Sequence, residues 1–263
     1  MNKKIYALAA LAAVALPAWA AEVYSSNIVG YQKMSFNNEF TMVGAQFVNV
    51  GGESKDINDL FSAEGNSLPG MTDDGDFQTT LLVWTGTGYR TYGWADADDG
   101  TNNEWEEANS KWLLLDGSDI AQVDMSAGKA FWLRTNGSQS EVTTIGEVPS
   151  GSSEPVTIAT EFTMIANPMP SDINIQKIVP SSTIPGMTDD GDFQTTLLVW
   201  TGTGYRTYGW ADADDGTNNE WEEANSKWLL LDGSDIADVT IPMGTAMWFR
   251  TTSTASGTVS FAK

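Results

Sequence analysis

The chain has 263 residues, 13 basic against 35 acidic, for a formal charge of -22, and contains neither histidine nor cysteine. An acidic excess of this size repels phosphate backbones and anionic lipid, both of which need a basic footprint, so nucleic acid is excluded as a partner. Without histidine or cysteine there is no Ser-His-Asp or Cys-His machinery, no usual zinc site, no disulfide and no cysteine-linked lipid anchor, and no enzyme is expected.

Taken in chain order, Lys3 and Lys4, the apolar residues 5–16 and the small-x-small sequence Ala18-Trp19-Ala20 predict a cleaved export signal over residues 1–20. Its apolar run is about 12 residues, short of the roughly 20 a spanning helix needs, and no later segment is apolar enough. A secreted protein without a membrane span is expected, destined for the extracellular space, the cell surface or the periplasm. Residues 22–36, with Val23, Ile28, Val29, Tyr31 and Phe36, predict a strand with no clear counterpart later in the chain. It reads either as an ordinary first strand or as one that adds to the edge of a neighbouring molecule, giving self-association.

Further strands are predicted over 42–50, 111–115, 129–135 and 141–145. A hairpin is predicted from 79–85 and 89–94 around Gly86-Thr87-Gly88. Residues 56–61 and 172–178 look briefly helical, too short to stand without tertiary contacts.

Residues 69–121 recur without a change as 185–237, a block of 53 residues at an offset of 116. The likeness extends outward: Glu39-Phe40-Thr41-Met42-Val43 returns as Glu161-Phe162-Thr163-Met164-Ile165, and 127–135 matches 243–251. Pro149-Ser150-Gly151-Ser152-Ser153-Glu154-Pro155 reads as a linker. The expected fold is all-β, two tandem β-sandwich-like domains from an internal duplication. They would occupy 21–148 and 156–263, with the signal at 1–20 and the linker at 149–155.

Each block holds eleven acids against two basic residues, Arg90 and Lys111 in the first. Asp96, Asp98, Asp99, Asn102 and Glu104 place oxygen donors around Gly100, as a calcium loop requires, and Asp212, Asp214, Asp215, Asn218 and Glu220 repeat the set. The spacing departs from an EF-hand, since Gly100 stands where a ligand belongs and no flanking helices are predicted. Asp73, Asp74 and Asp76, with Asp189, Asp190 and Asp192, form a second acidic turn. Carboxylates about 4 Å apart repel by roughly 1 kcal/mol per pair even in water. Converging acids therefore call for a cation, with hard oxygen ligands favouring calcium, unless they splay into solvent as turn residues.

Each repeat also carries five tryptophans. Trp84 and Trp132 have apolar neighbours and are expected in the core, with Trp200 and Trp248. Tyr92, Trp94 and Trp105, with Tyr208, Trp210 and Trp221, flank the acidic loop. They read either as a sugar-binding face, rings stacking on pyranose and acids holding hydroxyls, or as the hydrophobic floor of the loop. Paired carboxylates could hydrolyse glycosides, but no differentiated acid and base can be picked out.

Asn27-Ile28-Val29-Gly30-Tyr31 follows the export signal. Leu82-Val83-Trp84 with Tyr89 after the turn, and Ala127-Gly128-Lys129-Ala130-Phe131-Trp132, complete a recurrent pattern. In these the chain resembles uncharacterised secreted tandem β-module proteins of Verrucomicrobia-type bacteria, with Met247 in place of the phenylalanine in the second copy. The resemblance implies a β fold and export, and brings no activity with it. The expectation is a secreted, non-catalytic structural or cell-surface interaction protein with calcium-binding acidic loops. The alternative is a glycan-binding protein with two equivalent sites.

Overall fold

The computed structural model describes residues 29–36, 40–49, 53, 55–60, 68–72, 75–95, 111–116, 121–136, 140–149, 151, 153–159, 161–188, 190–212, 226–232, 235–252 and 254–263. The expected signal over 1–20 and residues 22–28 of the predicted first strand lie outside them.

Strands form where β-branched and aromatic residues cluster between glycine- and asparagine-rich turns. The first half contains β1 (Val29–Phe36), β2 (Phe40–Gly44), a one-turn helix α1 (Ile57–Leu60), β3 (Thr80–Trp84), β4 (Tyr89–Ala95), β5 (Lys111–Leu114), β6 (Ala130–Arg134) and β7 (Ser140–Glu147). Five of these make one antiparallel sheet in the order β2-β6-β3-β4-β5, and β1 pairs with β7 from Val29 against Glu147 to Phe36 against Ser140.

The second half repeats the arrangement. It contains β8 (Ser153–Ile158), β9 (Phe162–Ala166), β10 (Ile173–Asn174), a 3-10 turn (Ile175–Lys177), β11 (Ile178–Pro180), β12 (Thr196–Trp200), β13 (Tyr205–Ala211), β14 (Lys227–Leu230), β15 (Thr240–Ile241), β16 (Ala246–Arg250) and β17 (Gly257–Ala262). Its five-stranded sheet runs β9-β16-β12-β13-β14, facing a three-stranded sheet β8-β17-β11, with β10 and β15 paired beside them. The architecture is all-β and β-sandwich-like.

Each sandwich closes on its own core. In the first half, Phe36 and Val142 from the β1–β7 pair meet Leu81, Trp112 and Phe131 from the five-stranded sheet. In the second, Val156 and Phe261 meet Leu197, Trp228 and Phe249. Each such side chain contributes about 1.5–3 kcal/mol of burial. The hairpin turn has the predicted chemistry: the Thr85 N–H donates to Gly88 O at 2.9 Å, and Thr201 does the same to Gly204. Gly86 and Gly202 lie at φ 99° and 90°, a region that costs glycine nothing.

The two short helical segments do one job with different residues. On α1, Asn58 accepts from the Trp112 N–H at 2.8 Å and donates to Ala121 O at 2.8 Å. On the 3-10 turn, Gln176 accepts from the Trp228 N–H at 2.9 Å and donates to Trp228 O and Ala237 O. Both hold the last strand of their five-stranded sheet, β5 or β14.

Four details differ from the sequence expectation. Of 172–178, expected to be helical, only Ile175–Lys177 is, with β10 before it and β11 after it. The strand expected over 42–50 ends at Gly44, and among the described residues beyond it only Val48 makes a bridge, to Glu147. The expected linker is shorter, because Ser153, Glu154 and Pro155 already belong to β8, where Pro155 sits on an edge strand that needs no N–H from it. And β1 does have a counterpart: β8 holds against β17 the place that β1 holds against β7. The described part of the first strand is thus paired inside its own half.

Candidate functional site

Strand register decides which aromatic residues can meet a ligand. Leu81 pairs with Tyr92 and with Leu133, and Trp94 pairs with Trp112, so these residues share the inner face. Tyr92 and Trp94 are both 5 % exposed, and Tyr208 and Trp210 are 1 % and 3 %. The rings of Trp94 and Trp112 pack 5.4 Å apart, matched by Trp210 and Trp228 at 5.2 Å. These four residues form a floor inside the sandwich and present no face to a sugar. Trp105 and Trp221 lie outside the described residues.

The acids divide in the same way. Asp96, Asp98, Asp99, Asn102, Glu104, Asp214, Asp215, Asn218, Glu220, Asp73, Asp74 and Asp189 lie outside the described residues. Asp76, Asp190, Asp192 and Asp212 are described and exposed. The backbone of Asp76 closes a turn, its N–H donating to Thr72 Oγ1 at 3.1 Å and its carbonyl accepting from the Thr72 N–H at 2.9 Å. Asp192 repeats this with Thr188. Asp212 accepts the Gly186 N–H at 3.1 Å, fastening the start of the acidic loop to the start of the repeat block. No group of three or more acids converges among the described residues.

What the sequence did not reveal lies on the opposite face of the sheets. Trp84, Trp132, Trp200 and Trp248, expected in the two cores, are half-buried on the outer faces. They surround a small separate cluster of Met42, Ala130, Met164, Ala166 and Ala246. There the two five-stranded sheets meet along β2, β6, β9 and β16. Trp84 packs edge-on against Trp248 at 5.3 Å and 85°, and Trp132 against Trp200 at 5.5 Å and 78°. The Trp84 indole N–H donates to Phe162 O across the seam at 2.8 Å. Main chain crosses it too, with the Ala166 N–H donating to Gly128 O at 2.7 Å. A β-carbon at Gly44 would lie 2.3 Å from Ala166 Cβ, so glycine is required by the approach of the two backbones.

Two tyrosines finish the seam. Tyr89 accepts the Trp132 indole N–H at 3.2 Å, and Tyr205 accepts that of Trp248 at 3.1 Å. Burial pushes both phenols above their ordinary pKa, the indole donors acting in the opposite sense, and the Tyr89 charge raises Tyr205 further.

Beside the seam the outer face stays open. Phe40, Leu82, Tyr89 and Trp132 line an apolar hollow of about 240 Å³, in which Phe40 and Tyr89 are 44 % and 43 % exposed. In the second half, Asp192, Phe193, Thr196, Leu198, Thr207 and Arg250 line a more polar hollow of about 480 Å³. Leu82 and Leu198 are the same position of the block, so the two hollows lie on equivalent sheet faces, one in each half. Arg134 stands 5.8 Å over the Phe40 ring and Arg250 5.8 Å over Phe162. Between the halves, a cleft of about 600 Å³ holds Lys129 and Asp124, paired at 2.6 Å. Burial alone would raise the Asp124 carboxyl, but hydrogen bonds from Lys129 and Ser126 and the lysine charge outweigh it and hold it below the ordinary value.

Comparison with protein-family models, with curated proteins and with solved structures returns no match. The functional reading therefore rests on the residues and geometry above.

Proposed function

We propose that the chain is a secreted, non-catalytic structural or cell-surface interaction protein, built as two tandem β-sandwich-like units after a cleaved signal, with calcium stiffening its acidic loops. The observation that carries this reading is the seam of Trp84, Trp132, Trp200 and Trp248, which joins the outer faces of the two sheets and turns a duplication into one body with repeated surfaces. The absence of histidine and cysteine and the acidic charge of -22 support a scaffold rather than a catalyst. Calcium is favoured by the oxygen donors at 96–104 and 212–220. Thermal melts test it: EDTA should lower the melting temperature and calcium restore it, and indifference to both removes the cation from the reading.

A second reading, binding of an extracellular glycan at two equivalent sites, is favoured by the hollows on the outer sheet faces. In the first half the exposed Phe40 and Tyr89 rings suit a sugar face, and in the second Asp192, Thr196 and Arg250 suit sugar hydroxyls. A glycan array with the wild type and the Phe40→Ala/Phe162→Ala variant tests it. Binding lost in the variant supports the site, and no binding by the wild type discards it.

A further inference from the structure

We infer that the tryptophan seam is also the surface through which this protein takes a second copy of itself as partner, two chains exchanging their halves. The inference goes beyond the proposed function and rests on its two-unit reading.

The seam pairs its tryptophans reciprocally. Trp84 and Trp200 are the same position of the repeat, as are Trp132 and Trp248 at the offset of 116. Trp84 meets Trp248 and Trp132 meets Trp200, at 5.3 and 5.5 Å. The tryptophan pairing of one half is thus returned by the other, while the Trp84–Phe162 and Ala166–Gly128 hydrogen bonds are made once. Gly44 and Ala166, equivalent at the offset of 122, meet each other directly. The cation-ring contacts repeat as well, Arg134 over Phe40 and Arg250 over Phe162, both at 5.8 Å. Such reciprocity defines a two-fold dimer interface, in which residue i touches j and j touches i. Here it is enclosed within one chain. The matching half of another chain offers the same surface, residue for residue across the identical block.

Two observations make exchange feasible. The core clusters of the two halves share no residue, so the seam can part without opening either core. The connection is short: β7 ends at Glu147 and β8 begins at Ser153, leaving residues 148–152 between them. At about 3.5 Å per residue that connection reaches roughly 20 Å. A short tether gives the intramolecular partner an effective concentration in the millimolar range, and one too short to span the sites gives none. The closed monomer is favoured in dilute solution. Exchange is favoured when folding occurs at high concentration, or when the connection is cut back.

Deleting Ser150-Gly151-Ser152 should stop a chain from closing on itself. Light scattering should then give twice the mass of one chain, with the far-ultraviolet spectrum of the wild type. A folded monomer would overturn the inference. Should the shortened chain fail to fold, two differently tagged full-length chains, unfolded together and refolded over a range of concentrations, decide the matter. Mixed dimers should increase with concentration and disappear when both chains carry Gly44→Phe. No mixed dimer at any concentration, or mixed dimers indifferent to Gly44→Phe, refutes it.

Discussion

Trp84 and Trp248 lie edge to face across the seam, ring centroids 5.3 Å apart at 85°, and Phe162, whose carbonyl accepts the Trp84 indole N–H, also packs against Trp248 at 6.2 Å. Edge-to-face pairs contribute about 0.5–1.5 kcal/mol beyond burial. A double-mutant cycle of Trp84→Ala and Trp248→Ala, read by urea unfolding, should give a coupling of about that size. A cycle of Trp94→Phe with Trp248→Ala should give a coupling near zero, since those residues belong to separate clusters.

The inner and outer aromatic residues should behave oppositely. Trp94→Ala or Trp210→Ala empties a core position and should cost about 3–5 kcal/mol, enough to unfold a marginal protein. Phe40→Ala, on an open face, should stay within about 1 kcal/mol of the wild type. Denaturant midpoints check both. A stable Trp94→Ala protein would mean that the register of the five-stranded sheet is wrong.

Gly44 offers a test of backbone approach. Gly44→Val pushes a side chain into Ala166 and Gly244 O and should destabilise by about 1–3 kcal/mol. Gly88→Ala, where nothing lies within 4 Å of the new methyl, should change stability by about 0.5 kcal/mol or less. Melting temperatures of the two variants compare them directly.

The seam tyrosines give the pH dependence a sign. Folding raises the pKa of Tyr89 and Tyr205, so between the ordinary phenol value near 10 and the raised one the folded protein holds more protons than the unfolded. Stability is therefore intact below about pH 10 and declines as pH climbs above it. Absorbance at 295 nm should show a late-titrating fraction of tyrosinate. Tyr89→Phe/Tyr205→Phe should remove that fraction and flatten the alkaline loss of stability.

Much of the fold could be read from local pattern. The hairpin around Gly86-Thr87-Gly88, the strands of the block and the helical turn at Ile57–Leu60 follow from residues close in sequence, whereas of 172–178 only Ile175–Lys177 is helical. Sidedness could not be read so simply. In Thr80-Leu81-Leu82-Val83-Trp84 every second residue shares a face, and both faces are apolar. Apolar neighbours suggested a core position for Trp84, yet parity sets it with Leu82 on the outer face, opposite Leu81. A strand apolar on both sides needs two covers, and that signal was present at Trp84 and Trp132. Proximity to acidic residues left Tyr92 and Trp94 open as a sugar face or as the floor of the loop, and strand pairing with Leu81 and Trp112 turns them inward. The seam itself depends on contacts between residues more than a hundred positions apart, which no local pattern records.

The central claim is that two equivalent β-sandwich-like halves are joined through their tryptophans. It is tested most directly by nuclear Overhauser contacts between indole rings in the full-length protein, assigned by single Trp→Phe variants. Cross-peaks linking Trp84 to Trp248 and Trp132 to Trp200 are the expected result, at ring separations of 5.3 and 5.5 Å. Indoles that touch only residues of their own half, in a folded chain, would contradict it.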